Sequence, residues 1–107
     1  MNQIIFDAKA AQELQPYTVN FSDRLQFGEV INGAAVSVSV FTGTDATPSA
    51  MISGTASYDA YGNVTQTLTG GVAGVIYNIV FAVTGTSSHN YVKVGQLAVI
   101  ANDNAFA

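Results

Sequence analysis

His89 is the chain's single histidine, and it follows Ser87 and Ser88. Nucleophilic catalysis needs a nucleophile, a base and an acid that orients the base. Neighbours in sequence seldom reach that geometry, and no Gly-x-Ser-x-Gly elbow is present. A solvated loop histidine is the expectation. The carboxylates are Asp7, Glu13, Asp23, Glu29, Asp45, Asp59 and Asp103. A glycosidase would need two of them at a defined separation. They are scattered, mostly in segments that read as turns, where Asp bonds nearby backbone. With 107 residues, little chain remains to build a hydrolase cleft. No enzyme is expected.

Binding chemistry is weighed in the same way. Residues 59–63 and 102–104 carry Asp and Asn oxygens, but neither run has the spacing of an EF-hand loop. Gly62 and Asn63 explain the first as a turn. There is no cysteine, which removes thiolate metal sites and disulfides together. Gly70-Gly71-Val72-Ala73-Gly74 lacks the Lys-Ser/Thr of a phosphate loop and precedes a strand. Neither metal nor cofactor is expected. Asp23 and Arg24 read as a local ion pair or cap. Asn20-Phe21-Ser22 and Asn63-Val64-Thr65 match the glycosylation acceptor, which has no meaning without a secretory signal.

Two groups of apolar residues remain as contact candidates. Tyr58 and Tyr61 flank a turn and Tyr91 opens a strand, so these are candidate ligand-facing aromatics for a sugar or host surface. Ile4, Ile5, Phe6 and Phe106 lie near the two ends of the chain and are candidate protein-docking residues.

Composition limits the partners. Charged residues make up 9% of the chain, against roughly 25% in ordinary soluble domains. Three Lys+Arg against seven Asp+Glu leave a net charge of −4, so a cationic nucleic-acid surface cannot be assembled. No apolar run approaches the ~18 residues of a membrane helix. The start, Met1-Asn2-Gln3-Ile4-Ile5-Phe6-Asp7, lacks the basic and apolar regions of a signal peptide. Neither nucleic acid nor membrane is an expected partner. At 49% hydrophobic residues, a core is easily filled.

The elements that must position these residues read as β. Residues 17–21 alternate with Tyr17, Val19 and Phe21 on one face. Residues 34–40 alternate as Ala34, Val36, Val38 and Val40 against Ala35, Ser37 and Ser39. Residues 50–57 form a weaker strand, and 64–68 alternate after the turn at 59–63, making a hairpin. Residues 75–83 read as the strongest strand, and the alternating run 91–100 closes the set. Pro16 stops any helix in the first sixteen residues, which read as an extended arm. That arm either lies along the domain as an edge strand or docks on a neighbouring subunit. The expected organisation is an arm at 1–16, a sandwich at 17–101 and a short tail at 102–107. The fold class is all-β, an immunoglobulin-like antiparallel β-sandwich of about seven strands. Tyr77 follows the turn at Gly70, Gly71 and Gly74, the place of a tyrosine that pins a corner between two sheets.

Tyr17-Thr-Val-Asn-Phe-Ser-Asp-Arg-Leu25, then Gly28-Glu29-Val30-Ile31, resembles a pattern of small immunoglobulin-like bacteriophage virion proteins. The turn at 70–77 is similar to theirs as well, and the resemblance spans residues 17–100. The chain departs from them where Phe21 stands near their usual tryptophan, and in the loop Gly85-Thr-Ser-Ser-His89-Asn90. The resemblance implies a non-enzymatic structural part of a phage particle, foremost an adaptor linking tail and fibre. Its alternatives are a capsid decoration protein and a carbohydrate or host-surface binding module. It implies other virion proteins as partners, with copies of the chain itself in a symmetric assembly. It also implies a location in the virion after synthesis in the bacterial cytoplasm.

Overall fold

The computed structural model describes residues 4–6 and 8–101. Among them eight strands follow in order: β1 (Ile4–Ile5), β2 (Lys9–Ala10), β3 (Leu14–Asn20), β4 (Ile31–Thr42), β5 (Ile52–Tyr58), β6 (Asn63–Thr69), β7 (Ile76–Gly85) and β8 (Asn90–Ile100). A single 3-10 turn, Pro48–Met51, precedes β5. One sheet has the order β1-β8-β7-β4 with β2 also on β8, and the other has the order β3-β6-β5. β1 and β2 run parallel to β8, and every other pairing is antiparallel. This is the immunoglobulin plan, with the first strand carried on the last. The chain is all-β, as its alternation predicts.

Alternation decides what is buried. Tyr77, Ile79, Phe81 and Val83 of β7 face Val64, Leu68 and Val19 of the other sheet, joined by Phe21, Met51, Leu97 and Val99. Gln66 is buried too, on the inner face of β6 between Val64 and Leu68, beside the break in the β5 ladder between Ser53 and Ser57. Its amide nitrogen donates to the carbonyls of Ser53 (3.0 Å) and Gly54 (3.3 Å), so the inward amide is satisfied at the irregular stretch of β5.

β3 begins at Leu14, ahead of the alternation marked at Tyr17, and Pro16 lies inside it opposite Thr67. Proline is tolerated there because β3 is an edge strand, where a missing N–H costs no ladder bond on the open side. β4 runs 12 residues, longer than the 34–40 core of its pattern. Residues 50–51 belong to the 3-10 turn, so that β5 starts at Ile52.

Both ends of the sandwich are closed by polar groups. At one end the Tyr77 hydroxyl accepts from the Val72 N–H (2.8 Å) and donates to Asp45 Oδ2 (2.7 Å). That is the corner tyrosine the glycine turn anticipates. At the same end Lys9 is fully buried, and its ammonium donates to the carbonyls of Gly70 (2.7 Å) and Ala10 (2.8 Å). Burial pushes the Lys9 pKa down, and Glu13 opposes that shift. At the other end Lys93 reaches Asp23 (2.6 Å) and the Asn20 carbonyl (2.8 Å) over the Phe21 ring.

Candidate functional site: docking surfaces

β3 and β6 end together, since Asn20 pairs with Asn63, and Ile31 of β4 pairs with Gly85 of β7. The connections 21–30, 59–62 and 86–89 therefore gather at one end of the sandwich. The first and last of these are held together by Glu29, whose side chain is buried. Its carboxylate accepts from the Gln26 N–H (2.9 Å), the Ser87 N–H (3.3 Å), the Ser87 hydroxyl and the Tyr91 hydroxyl (2.8 Å). The Gln26 backbone bond, then the Ser87 hydroxyl and the Tyr91 phenol, hold its pKa down to about 2. Glu29 thereby ties the 21–30 loop to the β7–β8 hairpin.

The braced loop carries Phe27 at its tip, wholly exposed, with Gly28 at φ +80° beside it. An exposed phenylalanine on a fixed loop gives up the roughly 1.5–3 kcal/mol available to a buried ring. Tyr61 stands at the same end with 78% of its surface exposed. Its turn is set by Asp59, whose carboxylate accepts from the N–H groups of Tyr61 (2.9 Å) and Asn63 (3.0 Å) and from the Asn63 side chain (3.0 Å). The Asn63 side chain, with these backbone groups, lowers the Asp59 pKa. No cluster of three His, Cys, Asp or Glu able to hold a metal occurs among the described residues.

The other candidates fall in different places. Tyr58 is partly exposed, and its hydroxyl donates to the Asn32 carbonyl (3.1 Å). Tyr91 is half-buried, its hydroxyl engaged by Glu29 and its ring 5.6 Å from the Arg24 guanidinium. So Tyr58, Tyr61 and Tyr91 share one end of the fold, but only Tyr61 presents a free ring and hydroxyl group. Ile4 is half-buried against the core and Ile5 is 71% exposed. The Phe6 ring lies edge-on to Tyr17 (5.1 Å) and covers Gly95, and its N–H bonds the Gln96 carbonyl (2.9 Å). Phe106 lies outside the described residues, as do Asp7, Asp103 and the run 102–104.

His89 is half-exposed and sits 2.8 Å from the Ser87 hydroxyl. In a hydrolytic triad the acid orients the histidine. Here the Glu29 carboxylate accepts from the serine hydroxyl itself and lies 3.9 Å from His89 Nδ1, so the three groups brace the hairpin.

Sequence reasoning passed over Phe27, because the segment 22–29 reads as a connection and its glycine as a turn. The signal available was an aromatic next to that glycine. It also passed over how the charges are distributed. Every charged side chain among the described residues lies in a connection, at a sandwich end or between the sheets. Lys93 opposes the buried Phe81, which places it on the inner side of β8. Both outer faces are therefore uncharged. On β3-β6-β5 the face is polar, with Thr18 bonded to Thr65 (2.8 Å) and Asn20 to Asn63 (2.8 Å). On β4-β7-β8 it is richer in aliphatic groups, with Val80, Val92 and Val94 beside Ser37, Ser39, Asn78 and Gln96.

A small rigid sandwich with uncharged faces and a braced aromatic tip is a structural protein built for contact with other proteins. The chain belongs to the family described as podophage GP4 fiber-tail adaptor protein gp77, whose model matches residues 9–94. The match runs from β2 into β8 and so takes in both sheets. It makes the chain a structural component of a phage particle, as the turn and strand motifs imply. No curated protein matches the chain. No helix among the described residues is long and apolar enough to cross a membrane.

Proposed function

We propose that the chain links tail and fibre by protein–protein contacts alone, holding one partner at the loop end and associating with copies of itself elsewhere on the domain. The observation that supports this most is Phe27, a fully exposed ring on a loop made rigid by the buried Glu29. Interface anchors are of this kind: a large apolar side chain, already ordered, surrounded by polar groups that form a rim. Tyr61 widens the anchor, and Arg24 and Asp23 supply the rim. In the N-terminal segment Ile5 is the residue offered to a partner, since Ile4 and Phe6 are used within the domain.

The test has two parts. Particles assembled without the protein should retain the tail and lack fibres, as seen by cryo-electron microscopy. Particles that keep their fibres, or that carry the protein only on the head, would overturn the linking role. In purified form, Phe27→Ala with Tyr61→Ala should keep the thermal midpoint of the parent. Capture of the fibre or tail partner should weaken about 100-fold, as for the loss of a central anchor.

A further inference from the structure

The two sheets end in four edges, and these differ in what their outward N–H and C=O groups offer. On β3 the Phe21 N–H bonds the Gly62 carbonyl in register, so Gln15, Tyr17 and Val19 bond β6 while Leu14, Pro16 and Thr18 face outward. Pro16 leaves a gap in that row of donors. β5 leaves its ladder between Ser53 and Ser57 and carries Gly54 at φ +76°. β1 and β2 have two residues each. These three edges are interrupted, and interrupted edges resist added strands.

The β4 edge is continuous. In the β7–β8 pair the Gly85 N–H bonds the His89 carbonyl and the Val99 N–H bonds the Val75 carbonyl. The even-numbered residues of β7 therefore turn their backbone groups to β4, where they meet Gly33, Ala35, Ser37 and Ser39. Ala34, Val36, Val38 and Val40 consequently point both N–H and C=O away from β7. Among the described residues no other backbone group bonds these four. The regular run lies between the register shifts at Ile31/Gly33 and Val40/Thr42, and it has neither proline nor a charged side chain.

We propose that the β4 edge receives an extended, uncharged segment of a second virion protein, which joins the β4-β7-β8 sheet as a further strand. The proposal rests on the linking role and deepens it, since a link needs two contacts and the loop end supplies one. Outward donors and acceptors that recur every second residue, about 6.6 Å apart, are matched by another extended backbone. The side chains set its character. Alternate residues of the segment lie beside Ala35, Ser37 and Ser39 on the outer face and beside Val36, Val38 and Val40 on the inner, all neutral. A charged segment finds no opposite charge there. Shape favours a single strand over a whole second sandwich. β5 and the 3-10 turn pack beside β4, the Tyr58 hydroxyl holds the Asn32 carbonyl at one end of the run, and Phe41 stands exposed at the other. A second sandwich has to seat its own layers against these groups, whereas a strand needs only the edge.

The experiment is residue-resolved hydrogen exchange on the full chain, alone and with the purified fibre or tail protein of the same particle. Alone, the amides of Ala34, Val36, Val38 and Val40 should exchange fast and those of Ala35, Ser37 and Ser39 slowly. With one of the two partners bound, the same four should slow at least about 10-fold, and the Thr18 amide on the β3 edge should not change. Ala34→Pro removes one outward N–H at no cost in ladder bonds, and it follows Gly33, which adapts to a proline after it. It should keep the circular dichroism of the parent and weaken capture of that partner about 10-fold. Phe27→Ala with Tyr61→Ala should release the other partner instead. Four amides that stay fast with both partners bound overturn the proposal, whether or not Ala34→Pro folds. So does an Ala34→Pro chain that captures both as the parent does. Slowing of the four amides in the chain alone as its concentration rises also overturns it, since a second copy then takes the edge. A chain that captures neither protein brings down the linking role with the edge, whereas one that captures both with these amides unprotected loses the edge alone.

Discussion

Glu29 shows how one residue can organise a surface it does not belong to. Its carboxylate is buried under the hairpin it bonds, and its bonds favour the ionised form over the protonated one. Its folded pKa, about 2, lies below the ordinary 4.5. The Glu29 contribution to stability is therefore present in full above pH 4.5 and is lost as pH falls toward 2. Urea midpoints of wild type and Glu29→Gln should differ most at neutral pH and converge as the pH drops through that window. The variant should be the less stable at pH 7, because its amide nitrogen turns a donor toward groups that all donate to the carboxylate in the wild type. A gap that stays constant from pH 7 to 3 would mean that charge is not what holds the loop.

At the scale of elements, the N-terminal segment is held on β8 by a vacancy and a plug. Gly95 has no side chain, and the Phe6 ring occupies that space. An added Cβ would stand 2.4 Å from Phe6 Cε2. Gly95→Ala should therefore displace Phe6 and loosen β1 while leaving β7 intact. Hydrogen exchange should read this as lost protection at the Phe6 amide, which bonds Gln96, with the amides of residues 77–83 still slow. The same experiment separates the two expectations for the arm. The segment is an edge strand on its own domain here, and weakening Phe6 would make it available to a neighbour. At Gly71 the constraint is of another kind, since φ is +97° and a Cβ would sit 2.9 Å from Val99 Cγ2. That glycine lets the β6–β7 turn close against the core and sets Val72 beside the Tyr77 hydroxyl.

For the whole molecule, the scarcity of charge becomes a matter of placement. Ion pairs and buried carboxylates stay at the ends and between the sheets, so each sheet offers a neutral outer surface. Association through such a face should be nearly indifferent to salt. Any self-association constant measured for it should change less than about threefold between roughly 50 and 500 mM NaCl, since no exposed charge pair is there to be screened. A steep fall with salt in sedimentation would place the contact at the charged loop end instead. The edges add to this picture, because β4 is a long edge strand without lysine, arginine or acid to guard it.

Much of this fold is legible in local pattern. Period-two alternation in 17–21, 34–40, 64–68, 75–83 and 91–100 marks strands that the structure contains. The glycine turn before Tyr77 marks the corner, because backbone geometry and burial act over a few residues and leave their trace in sequence. The absence of cysteine and the shortage of basic residues exclude whole classes of chemistry without any fold at all. Tertiary structure alone decided the rest. The pairing of β1 and β2 with β8 joins residues about ninety positions apart, and two-residue strands carry no periodicity to read. Lys9 and Glu29 look like surface charges in sequence, and only the arrival of distant carbonyls, hydroxyls and N–H groups makes their burial tolerable. Phe27 looks like part of a turn until the loop around it is fixed and the ring is left in water. Which uncharged face would be the more aliphatic and which the more polar follows from strand order, since residues from three strands share each surface only after the sheet has formed.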